Sequence, residues 1–280
     1  MRIITSIFTA TVLVSLLVSS AVMADNLVEI KKSPASKRAG YNQLILSAIK
    51  KMPKGGGYAV NRKAATGLRY SMVRRDGKLV VNAKHAQPSY CSGATYLVLL
   101  YALKDAERLR LMKPLSPENA SRLLARGQAD GSSIWGRWNA NGPGTARLFH
   151  EAKLGVNFES YADAIPGDFM KIFWSNEIGK KEFGHLVVYL GTEQKKGETW
   201  VKFWSSNQPG GYGVKSVPQQ KIKWAIFSRL TNLKNISRIS KLPTKDVFLA
   251  SMLTDSYTRE KVRSMTGMEK KKPLPRPLKK

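Results

Sequence analysis

The chain has 280 residues, with 47 Lys and Arg against 19 Asp and Glu, for a formal net charge of +28 at pH 7. A field of that size calls for a polyanion or an anionic surface as partner, the alternative being a solvated face that only keeps the protein soluble. A single cysteine, Cys91, excludes an internal disulfide.

Residues 1–24, MRIITSIFTATVLVSLLVSSAVMA, place Arg2 ahead of an apolar run that ends in the small residues Val22 and Ala24. This is the pattern of a secretory signal peptide, cleaved after Ala24. Thr9, Thr11, Ser15, Ser19 and Ser20 interrupt the run, which barely approaches the roughly 20 apolar residues of a membrane span. No later segment is apolar enough to span a bilayer. Export to the periplasm or the medium is therefore expected, with the protein held at the cell envelope. It takes the chain away from nucleic acid and leaves peptidoglycan, other anionic envelope polymers, lipid headgroups or acidic wall peptides as fitting partners. In an oxidising compartment a lone thiol either has a use or is buried as a small hydrophobe.

Residues 25–40 are polar and basic without periodicity and read as a flexible leader. YNQLILSAIKKM, residues 41–52, has apolar positions at helical spacing and predicts the first helix, stopped by the PKGGG stretch at 53–57. Leu79 to Val81 suggest a short strand. From Cys91 the sequence CSGATYLVLLYALKDAERLRL reads as a helix apolar on nearly every side, hence buried, with Ser89 or Ser92 as its cap. Ser116 and Pro117, a capping residue and a first-turn proline, announce another helix running to Gly127. The stretch DGSSIWGRWNANGPG reads as a long loop leading to a short helix that ends at Gly155. Strand signals follow at 168–174 after the Pro166-Gly167 turn, at 185–191, at 199–205 and near 225–230. Helices first and antiparallel strands later predict an α+β domain over residues 41–230. A basic helical extension over 231–268, with Thr244 capping one helix through Thr254, and a disordered cationic tail over 269–280 (EKKKPLPRPLKK) complete the chain.

Cys91 falls at the start of the buried helix, where unsatisfied N–H groups and the positive end of the dipole favour a thiolate. The backbone N–H groups of Cys91 and Ser92 would face a developing oxyanion. Of the histidines His85, His150 and His185, the last opens the segment GHLVVYLG. The following strand, TWVKFWSSN, ends at Asn207 after a turn centred near Lys196. In an antiparallel hairpin the start of one strand lies beside the end of the next, so His185 and Asn207 should be neighbours. A nucleophile, a base and a residue that orients the base are then at hand, with Ser205, Ser206 and Gln208 as alternatives for the third role. Trp135 and Trp138, with Asn139 and Asn141, could line a substrate groove beside Tyr90 or pack in the core. His85 reads as a turn residue, His150 as a helix-surface residue, and Asp168 as the shaper of its turn. The histidines are far apart in the sequence and offer no short-range ligand pair, so neither a metal nor another cofactor is expected.

The order Y-C-S-G before an apolar helix, then P-G-D into a strand, then G-H-L-V-V-Y-L-G, resembles the NlpC-type and CHAP-type cell-wall cysteine peptidases and amidases over roughly residues 85–210. The resemblance implies a papain-like core, with the cysteine helix packed on an antiparallel sheet. It also implies attack by Cys91 on a peptide or amide bond, with His185 as base and then acid, and Asn207 orienting it. Tyr90 stands where that family often carries an acidic residue, and the spacing from His185 to Asn207 is closer to the CHAP pattern. The expectation is a monomeric exported hydrolase of peptidoglycan bonds. An acyltransferase using the same cysteine and histidine, or an inactive envelope-binding protein, are the alternatives.

Overall fold

A computed structural model describes residues 40–268. The expected signal peptide, nearly all of the leader and the cationic tail lie outside the described residues. In chain order the elements are α1 (Asn42–Lys51), β1 (Gly55–Gly56), α2 (Arg62–Tyr70), β2 (Met72–Arg75), β3 (Lys78–Val81), α3 (Cys91–Arg108), α4 (Pro117–Arg122), α5 (Ser133–Trp138) and α6 (Gly144–Glu151). They are followed by β4 (Gly155–Phe158), β5 (Phe169–Phe173), β6 (Gly184–Lys195), β7 (Glu198–Asn207), β8 (Gly211–Pro218), β9 (Trp224–Leu230), α7 (Val247–Ser251) and α8 (Arg259–Met265).

The architecture is α+β. Seven strands form one sheet in the order β1-β8-β7-β6-β5-β9-β4, with every pairing antiparallel, while β2 and β3 make a separate hairpin. Strand alternation gives the sheet two apolar faces. Phe169, Leu186, Val188 and Trp204 join the core built around α3, whereas Met170, Ile172, Val187, Tyr189 and Phe203 form a cluster with Phe227 on the other.

Helix α3 runs through the centre of that core, with Leu97, Val98, Leu100 and Leu103 wholly buried. At roughly 1.5–3 kcal/mol for each fully buried aliphatic side chain, this helix anchors the fold, and Cys91 at its first turn is thereby fixed in space. Its cap differs from the expected serine: Tyr90 occupies the N-cap position without a side-chain bond. Ser89 is buried one residue earlier, and Ser92 lies inside the helix with its hydroxyl committed to Asn139.

The β6–β7 hairpin turns at Lys196 and Gly197, both at positive φ (51° and 78°). That pair is the two-residue turn whose twist matches the strands. Strand β6 does not stop at Gly191, because a bulge between Tyr189 and Gly191 shifts the register and lets pairing continue to Lys195.

Residues 231–268 are helical in short pieces and pack back on the domain. Leu233, Ile236 and Ile239 enter the α3 core, and Phe248, Leu249, Met252 and Val262 build a second cluster with Phe173 and Trp224. Asp246 rather than Thr244 caps α7, accepting the Leu249 N–H at 2.9 Å. Among the described residues no helix is long and apolar enough to cross a membrane.

Candidate active site

Three separate pieces of chain converge on Cys91. The first is its own helix. The N–H of Ala94 makes the first helical bond, to Tyr90 O at 2.9 Å, so those of Cys91, Ser92 and Gly93 have no backbone acceptor among the described residues. The second is the opening of β6, which brings the His185 imidazole into hydrogen bonding with the Cys91 sulfur, joined by the backbone N–H of Leu186. The third is the Gly57-Tyr58 segment. Its backbone is tied down by Tyr58 N to Pro209 O at 3.1 Å, Ala59 N to Ser89 O at 3.0 Å and Ser89 N to Gly57 O at 3.2 Å. The Tyr58 hydroxyl hydrogen-bonds the same sulfur.

The titration of the thiol reflects a contest. Burial alone pushes Cys91 up, but the charge of His185, its hydrogen bond, the Leu186 N–H and the charge of Lys171 together bring it down to about 7. Tyr58 moves the other way: burial, then the neighbouring sulfur's charge and hydrogen bond, push it up to about 12. Burial, then the charge of Cys91, also hold Tyr90 at about 12. Both phenols therefore stay neutral between about pH 7, where Cys91 ionises, and about pH 12.

On the far side of the imidazole, His185 Nε2 lies 3.1 Å from Asn207 Oδ1. The orientation of that amide is settled by its other end, since Asn207 Nδ2 donates to Gly213 O at 2.9 Å and Ser205 O at 3.2 Å. The oxygen must face the ring, and an oxygen only accepts, so Nε2 carries a proton and Nδ1 is the nitrogen left for sulfur. Of the alternatives, Ser205 donates to Leu186 O at 2.8 Å and Ser206 to Ser89 O at 3.0 Å, both buried and turned away from the ring, and Gln208 is exposed.

Ser92 sits beside Cys91, and its hydroxyl donates to Asn139 Oδ1 at 2.5 Å. The loop bearing Asn139 continues to Asn141, which donates to Gly179 O at 3.2 Å, and to Gly142, whose N–H is bonded by the Glu182 carboxylate. Glu182 in turn pairs with Lys171 of β5.

The tryptophans do not line a groove. Residues 133–138 form a helix rather than a loop, which places Trp135 and Trp138 three positions apart on the face turned to α3. They are 2% and 1% exposed. Their rings meet Tyr96 at 5.3 and 5.5 Å, and Trp138 Nε1 donates to Ser92 O at 3.0 Å. Tyr90, half-buried, leans on Trp135 at 6.2 Å.

His85 is taken up by Asn82 at 3.1 Å, and His150 is exposed at the end of α6. Asp168 does more than shape its turn. It accepts Ile165 N at 2.9 Å, Asn42 Nδ2 at 2.8 Å, and both Nε and Nη2 of Arg229 at 2.8 and 2.7 Å. Among the described residues no group of three His, Cys, Asp or Glu could hold a metal ion.

Tyr58, Lys171 and Glu182 are the site residues that the sequence reading did not single out. Tyr58 follows a glycine run that reads as a turn, and Lys171 and Glu182 look like ordinary surface charges until the sheet register is known. Neither a protein-family model, nor a curated protein, nor a solved structure matches the chain.

Proposed function

We propose that this chain is a papain-like cysteine hydrolase, exported to the cell envelope, that cleaves peptide or amide bonds of peptidoglycan. One observation carries the reading: sulfur, imidazole and amide stand in line, Cys91 to His185 to Asn207, with the thiol lowered to about 7. An inert structural thiol buried in apolar surroundings would be raised instead. The YCSG, PGD and GHLVVYLG motifs that resemble the NlpC-type and CHAP-type enzymes fall on the helix start, the strand entry and the strand start that such chemistry needs.

In the reaction the Cys91 thiolate attacks the amide carbonyl, forming a C–S bond. The oxyanion is received by the unspent N–H groups at the start of α3 and by the Tyr58 hydroxyl, which the sulfur releases as its charge moves to oxygen. The protonated His185 gives its proton to the departing amine as the C–N bond breaks, leaving a thioester. Water, deprotonated by the now neutral imidazole, then displaces the sulfur, which leaves as thiolate. Asn207 holds the ring through both halves.

Net charge supplies the other half of the proposal. A charge of +28 suits retention on anionic wall polymers. The deciding experiment incubates pure protein with peptidoglycan fragments and follows products by mass spectrometry. Wild type should release new amine and carboxylate termini, and Cys91→Ala should release none. Identical product patterns from the two would remove the enzymatic reading, and binding to walls without products would favour an envelope-binding role.

A further inference from the structure

Strand β5 brings one more charge to the centre. Lys171 lies on the strand face that carries Phe169 into the α3 core, and its register partner is Leu186, whose N–H bonds the Cys91 sulfur. The ammonium sits against the residue that precedes His185: a Cβ built on Gly184 would lie 2.9 Å from Lys171 Nζ and 2.7 Å from Glu182 Oε1.

The Lys171 side chain is 14% exposed and its partner Glu182 4%. Their needs are unequal. One oxygen of Glu182 meets the ammonium and the other holds the Gly142 N–H, so the carboxylate is occupied on both sides. Lys171 leans on the Phe173 ring at 5.3 Å and has no acceptor other than Glu182 among the described residues. An ammonium has three N–H donors, and keeping spare ones in a largely buried place is costly unless something uses them.

We propose that Lys171 is a specificity-determining residue, which receives a carboxylate borne by the substrate next to the scissile bond, so that the preferred substrates are acidic peptides. This rests on the hydrolase reading and adds the substrate class to it. The geometry assigns Glu182 a supporting part: held by Gly142, it fixes the ammonium beside Gly184 and leaves its other donors for the substrate.

The test uses two reagents that differ only in charge near the reacting carbon. Iodoacetate and iodoacetamide each lose iodide as the Cys91 sulfur bonds to carbon, and only the first presents a carboxylate. In Lys171→Met the iodoacetate-to-iodoacetamide rate ratio should fall about tenfold from that of wild type, and in Lys171→Arg it should stay near the wild-type value. Loss of Lys171 also makes the thiolate scarcer, but that lowers both rates together and cancels in the ratio. Because Lys171→Met strands a buried carboxylate, the double change Lys171→Met with Glu182→Gln removes both charges and should give the same low ratio. With peptides, a free carboxylate beside the cleaved amide should raise kcat/KM about tenfold over its carboxamide counterpart in wild type and not in Lys171→Met.

A ratio unchanged in both Lys171→Met and the double variant overturns the proposal even if wall fragments are cleaved. A ratio that falls while no fragment is cleaved upholds the carboxylate site and removes only the hydrolase reading.

Discussion

The imidazole of His185 is gripped from both sides, by Asn207 Oδ1 at 3.1 Å from Nε2 and by the Cys91 sulfur on its remaining nitrogen. The two contacts come from different layers of the fold. Cys91 belongs to the buried helix and Asn207 to the second strand of the hairpin, so the site forms only when helix and sheet are docked. Its reactivity should therefore report on both.

Thiol reactivity gives the first expectation. Cys91 is lowered to about 7 from an ordinary value of 9.0. The charged form thus prevails above about pH 7 and is lost as the pH falls through it. At neutral pH about half the thiol should be ionised, against a few per cent for an ordinary cysteine. Alkylation by iodoacetamide, followed by intact mass, should show its midpoint near pH 7. Replacing His185 with Ala removes the strongest lowering influence and leaves burial to push the thiol up, so the rate at pH 6 should drop at least tenfold. A midpoint that stays put in His185→Ala would break the ion pair from the account.

On the proposed mechanism Asn207 orients the ring and does not react. Asn207→Ala should lower kcat on wall fragments by about tenfold to a hundredfold through misplacement of the ring, with little change in KM. The neighbouring Ser205→Ala, whose hydroxyl bonds Leu186 O, should leave kcat near wild type. Equal losses in the two variants would point to general damage at the strand end.

Much of this arrangement was legible in the sequence, and the reason is local. The helix from Cys91, the strand from His185 and the hairpin turn at Lys196 each depend on a short run of residues: an unbroken apolar stretch, an apolar run bounded by glycines, and a Lys-Gly pair at positive φ. Chain order then put His185 beside Asn207. What escaped was set by distant contacts. The tryptophans of SIWGRW left a wet groove and the core both open, and the choice is made by α5 meeting Tyr96 on α3. Strand β8, GYGVKSVP, carries no clear strand signal because its glycines and its exposed Val214 hide the alternation. Lys171 acquires meaning only when β5 pairs with β6 in the observed register.

Tyr58 tests the oxyanion site. Its hydroxyl bonds the resting sulfur and stays protonated up to about pH 12. Tyr58→Phe keeps the ring and removes one donor, which should cost about 10²-fold to 10³-fold in kcat if that donor passes to the oxyanion. The alkylation rate should change much less, since alkylation builds no oxyanion. Steady-state kinetics beside the iodoacetamide rate separates the two, and equal losses in both would confine Tyr58 to holding the thiolate.

The last expectation concerns stability and leaves the chemistry alone. Asp168 is wholly buried at the start of β5, and its carboxylate binds Arg229 of β9 through two hydrogen bonds at 2.8 and 2.7 Å. Asn42 at the first turn of α1 donates to it at 2.8 Å, so a single carboxylate fastens a helix and two strands. Breaking such a buried pair from one side typically costs about 3–5 kcal/mol, because the buried cation loses the two hydrogen bonds and the charge that Asp168 supplies. Asp168→Ala should lower the unfolding free energy by that amount, read as a fall in the urea midpoint at unchanged m-value, and Asp168→Asn, which keeps part of the hydrogen bonding, by less. The fraction that remains folded should still alkylate at Cys91 with a midpoint near pH 7, because Asp168 has no part in lowering that thiol. A stability loss below about 1 kcal/mol in Asp168→Ala would mean that the desolvation cost of the pair nearly cancels its attraction, and that α1 is held to the sheet by Leu44 and Ile45 in the core instead.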